Sequence, residues 1–269
     1  MAITVTQLGT AVFTTTTGNK TLVATPNLAD IIVVIAAATG PTGASQSISD
    51  NNTDNHGASG FYNTIVNVLK NTSADVMTAW VRSDPIQSAT STTWTATQAS
   101  SSGGGLAVFA IRGATIVGPA LIRGSGSQAN QTTTAAPAPV LSQAALTANA
   151  VMTAVFCSTS PPGLTSPTGF VAAPGDVNLG YTVPTSGLAV THANSGITAS
   201  TITWGSTPVT TWCSLAFELA ADQGNLAVSP EIPDIQAQQA VKRGAFFMSK
   251  WQKRRSGLFA PEPGILVPA

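Results

Sequence analysis

Oxygen ligands at alternating positions are what a calcium loop requires, and Asp50, Asn52 and Asp54 supply them in the stretch DNNTDNHG. The spacing then departs from an EF-hand. Gly57 stands at the eighth place instead of the sixth, and Phe61 occupies the twelfth, where a bidentate Glu is required. A hydrogen-bonded Asx turn accounts for the same residues, so no metal is assigned. His56 in TDNHGASG and His192 in VTHANSG read as solvated turn histidines. The glycines at 103–105 are followed by Leu106 rather than Lys and lead into a strand, which makes them a hairpin turn and not a phosphate loop. Cys213 alternates with Leu215, Phe217 and Leu219 in WCSLAFEL, the pattern of a buried thiol; a disulfide to Cys157 is the alternative. The 11 acidic residues are scattered, mostly in turns, and nominate no glycosidase pair. GxSxG and HExxH motifs are lacking. No catalytic residue and no cofactor is therefore assigned. Trp94 and Trp204 read as core, with a sugar-stacking platform as the sharper alternative; Phe61, Tyr62 and Tyr181 could join such a face.

The densest chemistry lies near the C-terminus, in VKRGAFFMSKWQKRRSGLF. The chain has only 11 Lys and Arg in 269 residues, yet Lys242, Arg243, Lys250, Lys253, Arg254 and Arg255 fall within this stretch. Val241, Phe246, Phe247, Met248, Trp251 and Phe259 are interleaved with them. A solvated tail would not favour so many large apolar side chains. Six positive charges on a neutral chain give modest phosphate affinity, so nucleic acid is a weak expectation, as is a membrane-surface helix. Arg, Trp, Phe and Met are enriched at protein interfaces, and an arm docking onto another protein fits them best. The stripe Ala237, Val241, Ala245 and Met248 predicts a helix, with Asp234 as its cap and Gly257 at its end. The proline-rich LFAPEPGILVPA that follows reads as extended.

The elements that must position these groups read as strands. Charged residues make up 8% of the chain against a usual figure of about 25%, which leaves Thr, Ser, Asn and Gln to form the surface. Abundant Thr and Val with 24 Gly and 17 Pro suit short strands and turns. The run IIVVIAAA is too short to cross a bilayer and fits a buried strand. The first residues lack the basic and apolar regions of a secretion signal. In VMTAWVRS, Val76, Thr78, Trp80 and Arg82 face away from Met77, Ala79 and Val81, and LAVFAIRG is apolar on both faces, as a central covered strand is.

The strand pattern occurs twice. TPNLADIIVVIAAATG and QAALTANAVMTAVFCSTS open comparable stretches. SATSTTWTATQASSSGGGLAVFAIRG and ITASTITWGSTPVTTWCSLAFELAA close them, each with a Trp-bearing strand, a polar turn and an apolar strand. The expected class is all-β: two tandem antiparallel β-sandwich units, jelly-roll or Ig-like, over 1–116 and 117–221. A linker, a basic amphipathic helix and a Pro-rich arm fill 222–269. The cysteine and tryptophan spacing does not follow an immunoglobulin domain.

SISDNNTDNHG, MTAWVRSDPIQSATSTTWTATQASSSGGGLAVFAIRGAT, TSPTGF and WCSLAFELAA together resemble the tandem β-sandwich proteins encoded among tailed-bacteriophage virion genes. The resemblance spans about residues 4–221 and leaves out the arm. It implies a non-enzymatic virion protein, assembled in the host cytoplasm, that decorates the capsid or serves as a minor capsid or tail-associated component. The implied partners are the major capsid protein or another virion protein, in a homo-oligomer or high-copy lattice. The alternative function is an adsorption or carbohydrate-binding module whose partner is a host glycan.

Overall fold

The computed structural model describes residues 2–13, 19–39, 46–52, 62–70, 75–98, 103–114, 118–132, 135–157, 164–171, 177–182, 185–208 and 210–221. The described part is all-β, built from three antiparallel sheets. The helix and arm expected after residue 222 lie outside the described residues.

The first large sheet is drawn from β1 (Thr4–Phe13), β3 (Ile31–Thr39), β5 (Tyr62–Leu69), β6 (Val76–Arg82) and β8 (Gly103–Arg112), in the order β1-β8-β3-β6-β5. A smaller sheet, β2-β7-β4, uses β2 (Asn19–Ala24), β4 (Gln46–Asp50) and β7 (Thr92–Gln98). The second large sheet is drawn from β9 (Ile122–Gln131), β10 (Ala150–Cys157), β11 (Val177–Thr182), β12 (Thr185–Ala193) and β13 (Trp212–Leu219), in the order β11-β12-β10-β13-β9. Read from β9, the second order repeats the first strand for strand: β9 stands for β1, β13 for β8, β10 for β3, β12 for β6 and β11 for β5. The two sheets divide between Arg112 and Ile122, where a 3-10 turn, Gly118–Leu121, intervenes.

The repeat extends to single residues. Ile31 pairs with Ile111 in one sheet, and Ala150 with Leu219 in the other. Counting from these pairs sets Val33 against Met152, Ala37 against Phe156, and Phe109 against Phe217. All of these residues belong to one apolar cluster. That cluster is the largest core and draws on both large sheets, with Ile35, Met77 and Val81 from one and Ala154, Val190 and Leu215 from the other. The inner faces of the sheets pack on each other. β1 lies against β11 and β5 against β9, so equivalent strands exchange places across the interface and the packing is close to two-fold. Each Ile, Val, Leu or Phe buried here contributes about 1.5–3 kcal/mol by leaving water.

Each large sheet is also covered on its outer face, which makes its central strands apolar throughout. On the first, Ile32, Val34, Trp80, Trp94, Leu106 and Val108 form a second core beneath the three-stranded sheet. On the second, Val155, Cys157, Trp204 and Trp212 form one cluster, and Leu141, Val151, Ile202 and Ala216 another. The cover here is a ribbon in place of a sheet. Residues 137–141 run antiparallel to 200–204 through the Val140–Thr201 bridge and the bonds Ile202 N to Pro139 O and Trp204 N to Pro137 O.

Residues 103–105 are strand, not turn: Gly103, Gly104 and Gly105 open β8 opposite Thr39, Ala38 and Ala37. A Cβ at Gly104 would lie 2.4 Å from Ala37 O and 2.5 Å from Lys20 Cε, so the stem of Lys20 and a neighbouring carbonyl demand glycine there.

Candidate functional site

Four of the five described acid residues, Asp30, Asp50, Asp75 and Glu218, are buried in the interior. Asp50 ends β4 and is buried. Its Oδ2 accepts from the Tyr62 hydroxyl at 2.8 Å and from Arg82 Nε at 3.1 Å, and its Oδ1 accepts from Asn52 N at 3.0 Å. Trp94 Nε1 donates to the Tyr62 oxygen at 2.9 Å, and Asn52 Nδ2 donates to Thr92 Oγ1 at 2.7 Å. Burial, reinforced by the Asp50 charge and its hydrogen bond, holds the Tyr62 hydroxyl well above its ordinary pKa. Asp50 is thus committed to an internal network, and the first ligand of the sequence's calcium-like pattern faces the core. Asp54, His56 and Phe61 lie outside the described residues.

Three further ion pairs are similarly placed. Lys70 Nζ stands 3.1 Å from Asp75 Oδ2 and 4.3 Å from the centre of the Phe156 ring in the other half. Arg112 Nε meets Asp30 Oδ1 at 2.7 Å, and this bond raises the guanidinium pKa further. Arg123 Nη1 meets Glu218 Oε2 at 2.6 Å. Of the ten charged residues among the described ones, seven are buried, and Asp84, Arg112 and Arg123 are half-buried. The described outer surface consequently carries little charge, with Thr, Ser, Asn and Gln as most of its polar groups.

The remaining candidates also turn inward. Trp94 is 0% and Trp204 1% exposed, so neither is a sugar platform. Tyr62 is half-buried, and Tyr181 falls on the backbone of β11. His192 is 5% exposed on β12 rather than in a solvated turn; its register sets it opposite Met152. Cys157 and Cys213 are both buried thiols that form no disulfide. They lie on neighbouring strands but pair with Trp212 and Phe156, one register step apart, and belong to different clusters on opposite faces of the sheet. Successive strand residues point to opposite faces, which keeps the two sulfurs from bonding. Burial pushes the Cys213 thiol pKa up, which suppresses thiolate chemistry. No group of three or more His, Cys, Asp or Glu suited to a metal occurs among the described residues.

A concave arrangement of mixed character on the described surface is a cleft of about 280 Å³ on the outer face of the second half. Phe170 and Ile197 are half-buried in it, and Thr168, Thr198, Thr201 and Thr203 are exposed along it. Sequence reasoning passed over it because threonines in so Thr-rich a chain carry no signal. Its traces are the turn glycines Gly169 (φ 85°) and Gly196 (φ 90°). The arm residues Val241, Lys242, Arg243, Phe246, Phe247, Met248, Lys250, Trp251, Lys253, Arg254, Arg255 and Phe259 all lie outside the described residues.

No protein-family model, curated protein or solved structure matches the chain.

Proposed function

We propose that this chain is a non-enzymatic structural protein of a tailed-phage virion, a capsid decoration or minor capsid protein docked on the shell through its C-terminal arm. The observation that carries this reading is the partition of charge. Eight of the ten described charged residues of the body form four ion pairs, seven of the ten are buried, and the described exterior is polar with little charge. Six of the 11 Lys and Arg stand between residues 242 and 255 among Phe, Met and Trp. A surface with so little charge has weak colloidal repulsion, which suits a fixed place in a lattice. The arm supplies what the body lacks: apolar side chains for affinity and basic ones for register on an acidic partner.

In this reading the body is a pair of tandem β-sandwich units, and the repeated strand order with its covered outer faces supports that description. The arm is a basic helix followed by an extended segment that lies along a neighbouring virion protein. Adsorption through exposed aromatics is less well supported, because Trp94 and Trp204 are both buried.

Quantifying the chain against the major shell protein in gradient-purified particles tests the proposal. A copy number near that of the shell protein is expected. A few copies would move the chain to the tail or a vertex, and complete absence would overturn the virion role. Deleting residues 229–269 should leave the body folded and abolish incorporation; normal incorporation of the truncated chain would overturn the docking role of the arm.

A further inference from the structure

Comparison of the two outer layers isolates one place where the second half departs from the first. In the first half, β4 pairs with β7 from Gln46–Gln98 to Asp50–Trp94, and Asn51 N continues the ladder to Thr93 O. In the second half, the segment 164–171 starts along the ribbon in a similar way, through Gly205 N to Thr165 O and Thr165 N to Ser206 Oγ. It then turns away at Pro167, where Phe170 N bonds Pro167 O, and crosses to β12 through Val171 N to His192 O. The cleft lies where the third strand has left.

Both walls are fixed. The 167–171 wall is held by the Val171–His192 bond and by Thr191 Oγ1 donating to Val171 O. The 196–203 wall is held by Gly196 N to Thr147 O, Ala145 N to Ala199 O, Leu141 N to Ser200 O and Ile202 N to Pro139 O. The floor groups Phe170 and Ile197 pack on the cluster of Leu141, Val151 and Ile202, which sets their positions. This is a preformed site and not a gap between loose loops.

Its chemistry is narrow. Among the described residues none that lines it is charged, so these supply no partner for an anion or a cation. The half-buried Phe170 and Ile197 form the floor, and four threonines line the cleft around them. Its volume is near the lower end of small-molecule sites, which begin at about 300 Å³. A ligand that matches has an apolar face, a rim of neutral hydroxyl groups and the size of one or two sugar rings. We infer that the cleft binds a neutral saccharide, with a C–H face of one ring over Phe170 and the ring hydroxyls toward Thr168, Thr198, Thr201 and Thr203. An apolar peptide side chain would use the floor and leave the hydroxyls without a role, so it fits less well. The inference does not depend on the virion reading.

The test is saturation-transfer NMR on the full chain with glucose, galactose, mannose, N-acetylglucosamine and cellobiose, and with sialic acid as an anionic control. At least one neutral sugar is expected to receive saturation, strongest on the protons of one ring face, while sialic acid receives none. Thr198→Lys projects a long cationic chain from an exposed position into the cleft and should weaken binding about tenfold or more, with Tm unchanged. Phe170→Ala should do the same; if it also unfolds the chain, Thr198→Lys alone decides. Absence of transfer to every neutral sugar, equal transfer to sialic acid, or undiminished transfer in folded Thr198→Lys would each overturn the inference. So would Thr198→Lys abolishing capture of a proline-rich apolar peptide while sugars show no effect.

Discussion

The two halves share a strand order and a core but finish their edges and outer layers differently. Gly9 on β1 pairs with Val108, and Gly126 on β9 pairs with Ala216, which is the equivalent position. Both glycines sit under the outer layer. A Cβ at Gly9 would first meet the Leu22 side chain, at 3.2 Å, whereas at Gly126 it would fall 1.7 Å from Val140 O. The first half thus covers its sheet with side chains from a hydrogen-bonded sheet, and the second lays a backbone ribbon directly on its edge strand. The turns before β3 and β10 differ in a related way. Asp30 N bonds Asn27 O and Asn149 N bonds Leu146 O, so the turns match. The acid that accepts the turn's first amide is Asp30 itself in one half, and in the other it is Glu218, reaching over from β13 to Leu146 N. The tryptophans follow suit: Trp94 donates into the Tyr62–Asp50–Arg82 network, and Trp204 donates to Thr153 Oγ1 alone. Duplicated backbones tolerate such divergence because the shared inner faces fix the sheets, while each outer layer has only to cover one face.

The strongest way to break the comparison is to separate the halves. Residues 1–116 and 117–222, produced apart, each expose an inner sheet face that the other normally covers. Neither is expected to fold alone, and co-expression should restore a one-to-one complex, read by size exclusion and circular dichroism. Two independently folded monomers would show that the shared core is dispensable. Next in size is the glycine pair. Gly126→Ala must displace the 137–141 backbone and should lower stability by about 4 kcal/mol or more. Gly9→Ala needs only a shift of Leu22 and should change it by less than about 1 kcal/mol; urea denaturation that finds the two equal would erase the distinction between the outer layers. Arg82→Met strands the fully buried Asp50 carboxylate and should lower stability by about 3 kcal/mol. Arg112→Met leaves Asp30 beside an arginine position that is 39% exposed in its side chain, and about 1 kcal/mol is expected there.

A further difference is in pH. Burial lowers the Lys20 ammonium of the first half from 10.5 to about 8. Below pH 8 the folded and unfolded chains both hold this proton. Above it the unfolded chain binds more, so stability should rise between pH 8 and 10. Lys20→Met should flatten that rise, as followed by Tm across this range; an unchanged slope would assign it to another group.

How far the sequence could be read depended on which forces acted locally. Alternation in VMTAWVRS places Trp80 and Arg82 on one face and Met77, Ala79 and Val81 on the other, and the two cores divide Trp80 from Met77, Ala79 and Val81 in that way. The double apolar character of LAVFAIRG and IIVVIAAA marks interior strands covered on both sides, which β8 and β3 are. His192 defeated the same reasoning. The polar neighbours in THANSG suggest a turn, yet β12 continues through Ala193 and the imidazole is enclosed by residues distant in sequence. The glycines of β8 were equally opaque, since the reason for them is the carbonyl of Ala37 and the stem of Lys20.

The sequence by itself determined the all-β class, the repetition, the inward Trp94 and Trp204, and the scarcity of charge, because composition and two-residue periodicity are local properties of the chain. Only the tertiary structure decided that the inner faces of the two halves cover each other with near two-fold symmetry. It also decided that Asp50, Tyr62, Arg82 and Trp94 converge, that Cys157 and Cys213 face apart, and that the second half opens a cleft where the first closes a sheet. Those outcomes depend on which faces meet and which strand leaves a ladder, and neither is encoded in any single segment.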